Sequence, residues 1–234
     1  MRIHFLAFEN LSWIRKFHFY NCSFFYILSL SWSGFGLGAL TTGCVSSRQH
    51  PGLQLNAEST YFRLMEKSST KSQLYDGLMA ILDVRATLLR RDLVAAQVDQ
   101  MARLYQYDSS TYEREKTKRL AEIPKQAQVF VSFFVPDRKH DDLQRSNSKW
   151  KIYLDANGKR YEGVAQKMKN VFAEVQALYP EHTRWGTPYL ITFPVSTDSL
   201  QGVVQLTLTG PVAATSMSFP AEVVAGGSST PDQR

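Results

Sequence analysis

The spacing of apolar residues changes its period at Lys125, and this change constrains the fold more than any other feature of the chain. Before it, apolar side chains recur at steps of three and four residues, which places them on one face of a helix. After it, they alternate with polar side chains, as in strands that bury one face. The order of the two periods predicts an α+β fold, with helices first and antiparallel strands after them.

The segment 57–124 is predicted to be helical, with two to four helices. The predicted helices cover 57–67, 71–90 and 92–106, the last two as separate helices or as one bent helix. Two capping-box spacings support this interpretation: Thr70 is followed by Gln73, and Ser110 by Glu113. In such a box the hydroxyl bonds the third amide while the longer side chain reaches back. The second box predicts a further helix after Ser110.

The segment 125–221 is predicted to hold six or seven short antiparallel strands. The predicted strands are 129–135, 150–154, 160–169, 189–193, 204–209 and 213–219. Asn157-Gly158 indicates a tight hairpin turn, because both residues accept positive φ. In size and turn spacing this segment resembles an immunoglobulin-like β-sandwich, although it lacks the paired cysteines of true immunoglobulin domains.

A long uncharged stretch, 17–45, follows two basic residues and closes on small residues and a cysteine. This is the layout of an export signal. The pair Gly43-Cys44 resembles the lipobox of bacterial lipoproteins, with Thr41 standing where the pattern usually has Leu. The resemblance implies cleavage between Gly43 and Cys44, and a diacylglycerol on the thiol of Cys44.

The resemblance divides the rest of the chain. It implies a cleaved signal peptide at 1–43 and a lipidated tether at 44–56, and low complexity predicts a disordered tail at 222–234. Two other interpretations of the leader stay open. The apolar stretch 24–40 is nearly long enough for an uncleaved membrane anchor, and it could also be a buried core helix.

The order of anchor, helices and strands resembles predicted lipoproteins of Gram-negative bacteria. With Val45 after the cysteine, the resemblance implies the outer rather than the inner membrane of the cell envelope. The two cysteines are Cys22 and Cys44, so a chain cleaved before Cys44 would keep one thiol. That composition suits an oxidising compartment.

Charge and motifs favour neither nucleic acid nor catalysis. Lys and Arg number 27 against 21 Asp and Glu, and they are scattered among acids. The chain contains no nucleophile elbow, zinc-protease helix motif, phosphate loop or dinucleotide glycine pattern. We therefore expect no enzyme, no cofactor and no metal. The run 137–142 gathers a His and three carboxylates beside two cations, and we interpret it as an exposed charged loop.

The connection before the 189–193 strand carries the candidate binding residues. Glu181, His182, Arg184 and Trp185 place an acid, an imidazole, a guanidinium and an indole within one loop. Exposed Trp and Arg often dominate binding surfaces. A distant serine brought to His182 by the fold would make a hydrolase the third alternative.

Two functional hypotheses follow. The first is a lipid-anchored structural or protein-interaction module, with the membrane as one partner through Cys44 and an envelope protein as another. The alternative is an envelope ligand- or glycan-binding module that uses the 180–187 loop.

Overall fold

The computed structural model describes residues 52–219. These residues form one compact unit with an α+β fold of four helices and nine strands, the strands in two antiparallel sheets. Gly43, Cys44, the expected leader and most of the expected tether lie outside the described residues. So does the predicted tail.

The helices and strands are interspersed along the chain. The helices are α1 (Glu58–Ser68), α2 (Arg91–Tyr105), α3 (Ser109–Leu120) and α4 (Phe172–Leu178). The strands are β1 (Ser69–Asp76), β2 (Met79–Leu88), β3 (Ala127–Phe134), β4 (Lys151–Ala156), β5 (Lys159–Glu162), β6 (Val164–Lys167), β7 (Thr187–Phe193), β8 (Val204–Thr209) and β9 (Ala214–Phe219). Single 3₁₀ turns lie at Arg138–His140 and Thr197–Ser199.

The strands form a larger sheet of order β1-β2-β3-β7-β6 and a smaller sheet of order β5-β4-β8-β9. The chain passes from the smaller to the larger sheet at Gly163, the one residue between β5 and β6. A Cβ on Gly163 would stand 2.5 Å from Cε1 of Phe193 and 2.8 Å from Cγ2 of Ile191. Only glycine lets the backbone pass this close to the core.

One face of each sheet contributes to a common core. Alternate residues of β3 point into it, among them Val131 and Phe133, and Leu154 and Leu206 reach it from the smaller sheet. The ring of Trp150 meets the ring of Phe133 edge-on, with 5.1 Å between centroids. The two edge strands β1 and β9 are also joined, because the Thr215 hydroxyl lies 2.6 Å from that of Ser72.

The helices cover the opposite face of the larger sheet. Phe130 of β3 lies on this face and stacks on Tyr179, which directly follows α4. Tyr61 of α1 and Leu93 of α2 belong to the same buried cluster. The hydroxyl of Tyr61 donates to the carbonyl of Leu178 and so ties α1 to α4. The helices are therefore a layer on the sheet.

The predicted helix over 71–90 is wrong, because these residues form the β1–β2 hairpin. In β2 the buried residues alternate, and Leu82, Val84 and Ala86 face the core. Leu82 and Ala86 are four residues apart, which also fits a helix, and for that reason the apolar pattern suggested one. The turn at Gly77-Leu78 decides the matter, since Gly77 has φ of +58° and glycine at the first of two turn residues favours hairpins. The capping box at Thr70 is wrong for the same reason.

Other helical predictions fare better. The helices expected at 57–67 and 92–106 are confirmed as α1 and α2. A helix does begin near Ser110, but its cap is Asp108 rather than the expected box. The Asp108 carboxylate accepts from the amide of Thr111 at 2.6 Å.

Most predicted strands are confirmed, and so is the Asn157-Gly158 turn, whose φ angles are +54° and +70°. The expected strand at 160–169 is instead split at Gly163 into β5 and β6, which belong to different sheets. The expected division at 124/125 does not separate helices from strands. β2 lies before it and β3 after it, and they pair along six residues.

Candidate functional site

The candidate binding loop connects α4 to β7 at one end of the larger sheet. Thr187, the first residue of β7, pairs with Phe133 near the end of β3. The loop therefore lies where β3 ends and β2 begins. Its four candidate residues are held in different ways, and they do not share one surface.

His182 is buried rather than presented to solvent, with 3% of its surface exposed. Its Nδ1 lies 2.7 Å from the hydroxyl of Ser132, a buried residue of β3. The rings of Phe130 and Phe172 flank the imidazole. Burial, with a further contribution from the cation of Arg85, lowers the pKa of His182 below its ordinary value. The neutral imidazole is thus the form that the fold favours.

The fold does bring a serine to His182, as the hydrolase alternative required. The distance fits a nucleophile and its base. Both residues are buried, however, and neither lines any of the three cavities described in this structure. Gly186 also closes over the pair, because a Cβ there would collide with the Ser132 hydroxyl. A substrate could reach Ser132 only if the loop moved, so the pair serves to fix the loop.

Glu181 ties the loop to β2. The guanidinium of Arg85 donates to the Glu181 carbonyl at 3.1 Å and lies 3.7 Å from its carboxylate. Arg85 also pairs with Asp83 on the same strand at 3.3 Å. The loop is therefore held on one side by an ion pair with the sheet and beneath by His182.

Trp185 is exposed over 65% of its surface, and Arg184 beside it is also exposed. The Trp185 carbonyl accepts from Nη2 of Arg138 at 3.2 Å. The same guanidinium lies 3.1 Å from the Asp141 carboxylate. The indole thus stands in solvent on a backbone that the neighbouring loop holds in place.

The charged run 137–142 is only partly the exposed loop that we expected. The Asp141 side chain is 5% exposed. It accepts from the Thr187 hydroxyl at 2.5 Å and from the Tyr189 hydroxyl at 3.0 Å. Burial, together with the charge of Asp141, raises the pKa of Tyr189 above its ordinary value. Asp141 is therefore a structural acceptor that joins this run to β7.

The tip of the β1–β2 hairpin lies at the same end of the sheet. β2 pairs with β3 only from Asp83 onward, so the residues before it project by roughly 13 Å at the usual strand rise. At the tip Leu78 is fully exposed, and Tyr75 and Met79 are mostly exposed. Sequence reasoning missed this apolar tip because it placed a helix there, although Asp76-Gly77 was a signal for it.

No group of three or more His, Cys, Asp or Glu side chains within 52–219 is arranged to hold a metal ion. In the same part of the chain, no helix combines the length and the apolar character needed to cross a bilayer.

Comparison of the chain with protein-family profiles, curated proteins and solved structures gives no significant match.

Proposed function

We propose that this chain is a lipid-anchored cell-envelope protein whose folded part is a structural or protein-interaction module. We further propose that its two sheets form an immunoglobulin-like β-sandwich, because residues of both sheets share one core. In this proposal the signal 1–43 is removed, Cys44 carries the lipid, and Val45 directs the protein to the outer membrane. The supporting observation for the module is the exposed indole of Trp185 on a braced loop.

The bracing supports a recognition role for this end of the sheet. The apolar surface of an exposed Trp stays in contact with water unless a partner covers it. The backbone beneath Trp185 is held by Arg138, and the loop by Arg85 and Ser132. A side chain on such a support is ordered before binding, which lowers the entropy cost of association. The apolar hairpin tip with Leu78 extends the surface that a partner protein would cover.

The anchor is tested by metabolic labelling with palmitate. Cys44→Ala should abolish the label and release the protein from the membrane fraction, while Cys22→Ala should keep both. The second variant is the matched control, because Cys22 is the other cysteine of the chain. A label that persists in Cys44→Ala, or that vanishes in Cys22→Ala, would refute the anchor.

The interaction role is tested by photo-crosslinking in the intact envelope. A photoreactive side chain at position 185 should yield a discrete crosslinked band, and one at position 203 should not. Val203 is a suitable control because it is as exposed as Trp185. Equal crosslinking at both positions would count against a specific partner surface.

The alternative function is an envelope ligand- or glycan-binding module that uses the 180–187 loop. The adjacent exposed Arg184 and Trp185 favour it, because an indole stacks on sugar faces and a guanidinium bonds hydroxyls or acids. It predicts that a bound glycan raises the unfolding temperature as ligand concentration increases. Trp185→Ala should remove that effect. A broad glycan screen without any shift would eliminate this alternative.

A further inference from the structure

A cavity of about 310 Å³ lies between α2, α3 and the helix-covered face of the larger sheet. Its apolar wall is formed by Leu89, Val94, Ile123 and Leu190. It lies apart from the candidate binding loop, whose residues do not line it. Its charged lining residues, which we call its rim, come from α3 and the turn after it: Glu115, Lys118, Arg119 and Glu122.

Gln97 of α2 lines this cavity and is completely buried. Its Oε1 accepts from Nη1 of Arg119 at 3.3 Å, but its Nε2 has no hydrogen-bond partner. The amide lies near the buried hydroxyls of Tyr61 and Tyr179 and lowers their pKa, which burial raises. Nε2 nevertheless meets neither hydroxyl in hydrogen-bonding geometry. A buried N–H donor without an acceptor is costly, so a ligand that supplies an acceptor here would bind more tightly.

The rim of the cavity places cations beside that donor. Arg119 is partly buried and in contact with Gln97, and Lys118 stands next to it. The rim also has two carboxylates, Glu115 and Glu122. Glu122 forms an ion pair with Lys125 at 3.0 Å. The donor, the guanidinium and the apolar wall together suit an anion with an apolar body.

We propose that this cavity is a binding site for a small amphipathic carboxylate. The carboxylate pairs with Arg119 and accepts from Nε2 of Gln97 once the Gln97 side chain turns into the cavity, while the apolar body packs on Val94 and Leu190. The site is independent of the lipid anchor and of the Trp185 surface. It therefore stands or falls separately from the proposed function.

The test uses fluorine NMR on the full chain in lipid nanodiscs, with empty nanodiscs subtracted. The probes are 4-fluorobenzoate and 6-fluorohexanoate, with 4-fluorobenzyl alcohol and 4-fluorobenzylamine as neutral and cationic counterparts. We expect both carboxylates to bind at millimolar concentration or below and to bind more tightly than either counterpart. Absence of carboxylate binding, or equal binding of the alcohol, would overturn the proposal.

Variants locate the site. Gln97→Met keeps the volume and removes the donor, and Arg119→Met removes the cation; each should weaken carboxylate binding by about tenfold. Glu115→Gln should strengthen it by removing a like charge. Arg91→Met is the matched control, because Arg91 pairs with Asp198 in a different cavity. Unchanged affinity in the folded Gln97→Met and Arg119→Met proteins would refute this location.

Discussion

Gly163→Ala should destabilise the protein, because the passage between the sheets has no room for a methyl group. The new Cβ would stand 2.5 Å from Cε1 of Phe193 and 2.8 Å from Cγ2 of Ile191. Carbon atoms normally approach to about 3.5–4.0 Å, so the strand or the core must shift by roughly 1 Å. Both neighbours are buried, and overpacking of this kind costs about 1–3 kcal/mol.

The lower chain entropy of unfolded alanine offsets about 0.4–1 kcal/mol of that cost. The net loss in free energy of unfolding is then at most about 2.6 kcal/mol, and the midpoints of the two ranges give about 1.3 kcal/mol. With a urea slope of about 2 kcal/mol per molar, the midpoint should fall by roughly 0.5–1 M. The fluorescence of buried Trp150, which packs on Phe133, reports the transition.

Two controls make this prediction specific. Val164→Ala changes the next residue, which is mostly exposed, and should alter stability by no more than about 0.5 kcal/mol. Phe193→Leu removes the ring atoms that the new methyl group would meet. In that background Gly163→Ala should cost less than in the native chain. An unchanged midpoint for Gly163→Ala, or an equal cost in both backgrounds, would refute the steric argument.

Three further predictions concern single positions. Burial and Arg85 hold the pKa of His182 below 6.5, so the contribution of neutral His182 to stability is complete above about pH 6.5 and is lost as the pH falls below that value. Urea titrations at several pH values should show that His182→Asn reduces this loss. An identical pH dependence in the variant would contradict the prediction. Asp108→Ala should lower the urea midpoint through loss of the cap on Thr111, whereas Asp108→Asn should be close to neutral in the same assay. Gly77→Ala should cost about 1 kcal/mol because φ is +58°, and Gly77→Asn less; equal stability of the two variants would exclude backbone strain.

Strands with one buried face were predictable from the sequence. Around Ile152 and Leu154 the alternation is regular, and Asn157-Gly158 sets the turn that follows. In β2 the same kind of information was ambiguous, because its buried residues also fit a helical spacing. The sequence pattern shows burial but not the partner, and β3, which selects the strand conformation, lies about forty residues away.

The location of the candidate loop could be predicted from the sequence, but the orientation of its side chains could not. Trp185 is exposed, as a binding role requires, whereas His182 turns inward to Ser132, fifty residues earlier in the chain. Local sequence spacing does not predict such a pair, because the pair depends on the register between β3 and β7. Asp141 shows the same limit, since a run of charges suggested a solvated loop and the fold uses one carboxylate as a buried acceptor.

The strand order also has a consequence for the time course of folding. β3 lies between β2 and β7 at the centre of the larger sheet, and the central strand β4 of the smaller sheet needs β8. The larger sheet is complete only once β7 has been made, and the smaller sheet only once β9, the last described strand, has been made. Until then the core face of β3 lacks the cover of β8 and β9, and such intermediates are prone to aggregation.

A fragment that ends at residue 186 should therefore show no cooperative unfolding, and a cooperative transition in that fragment would contradict this reasoning. We expect the nascent chain to depend on a holding chaperone until β7 and β8 emerge. Folding then closes both sheets in one late step.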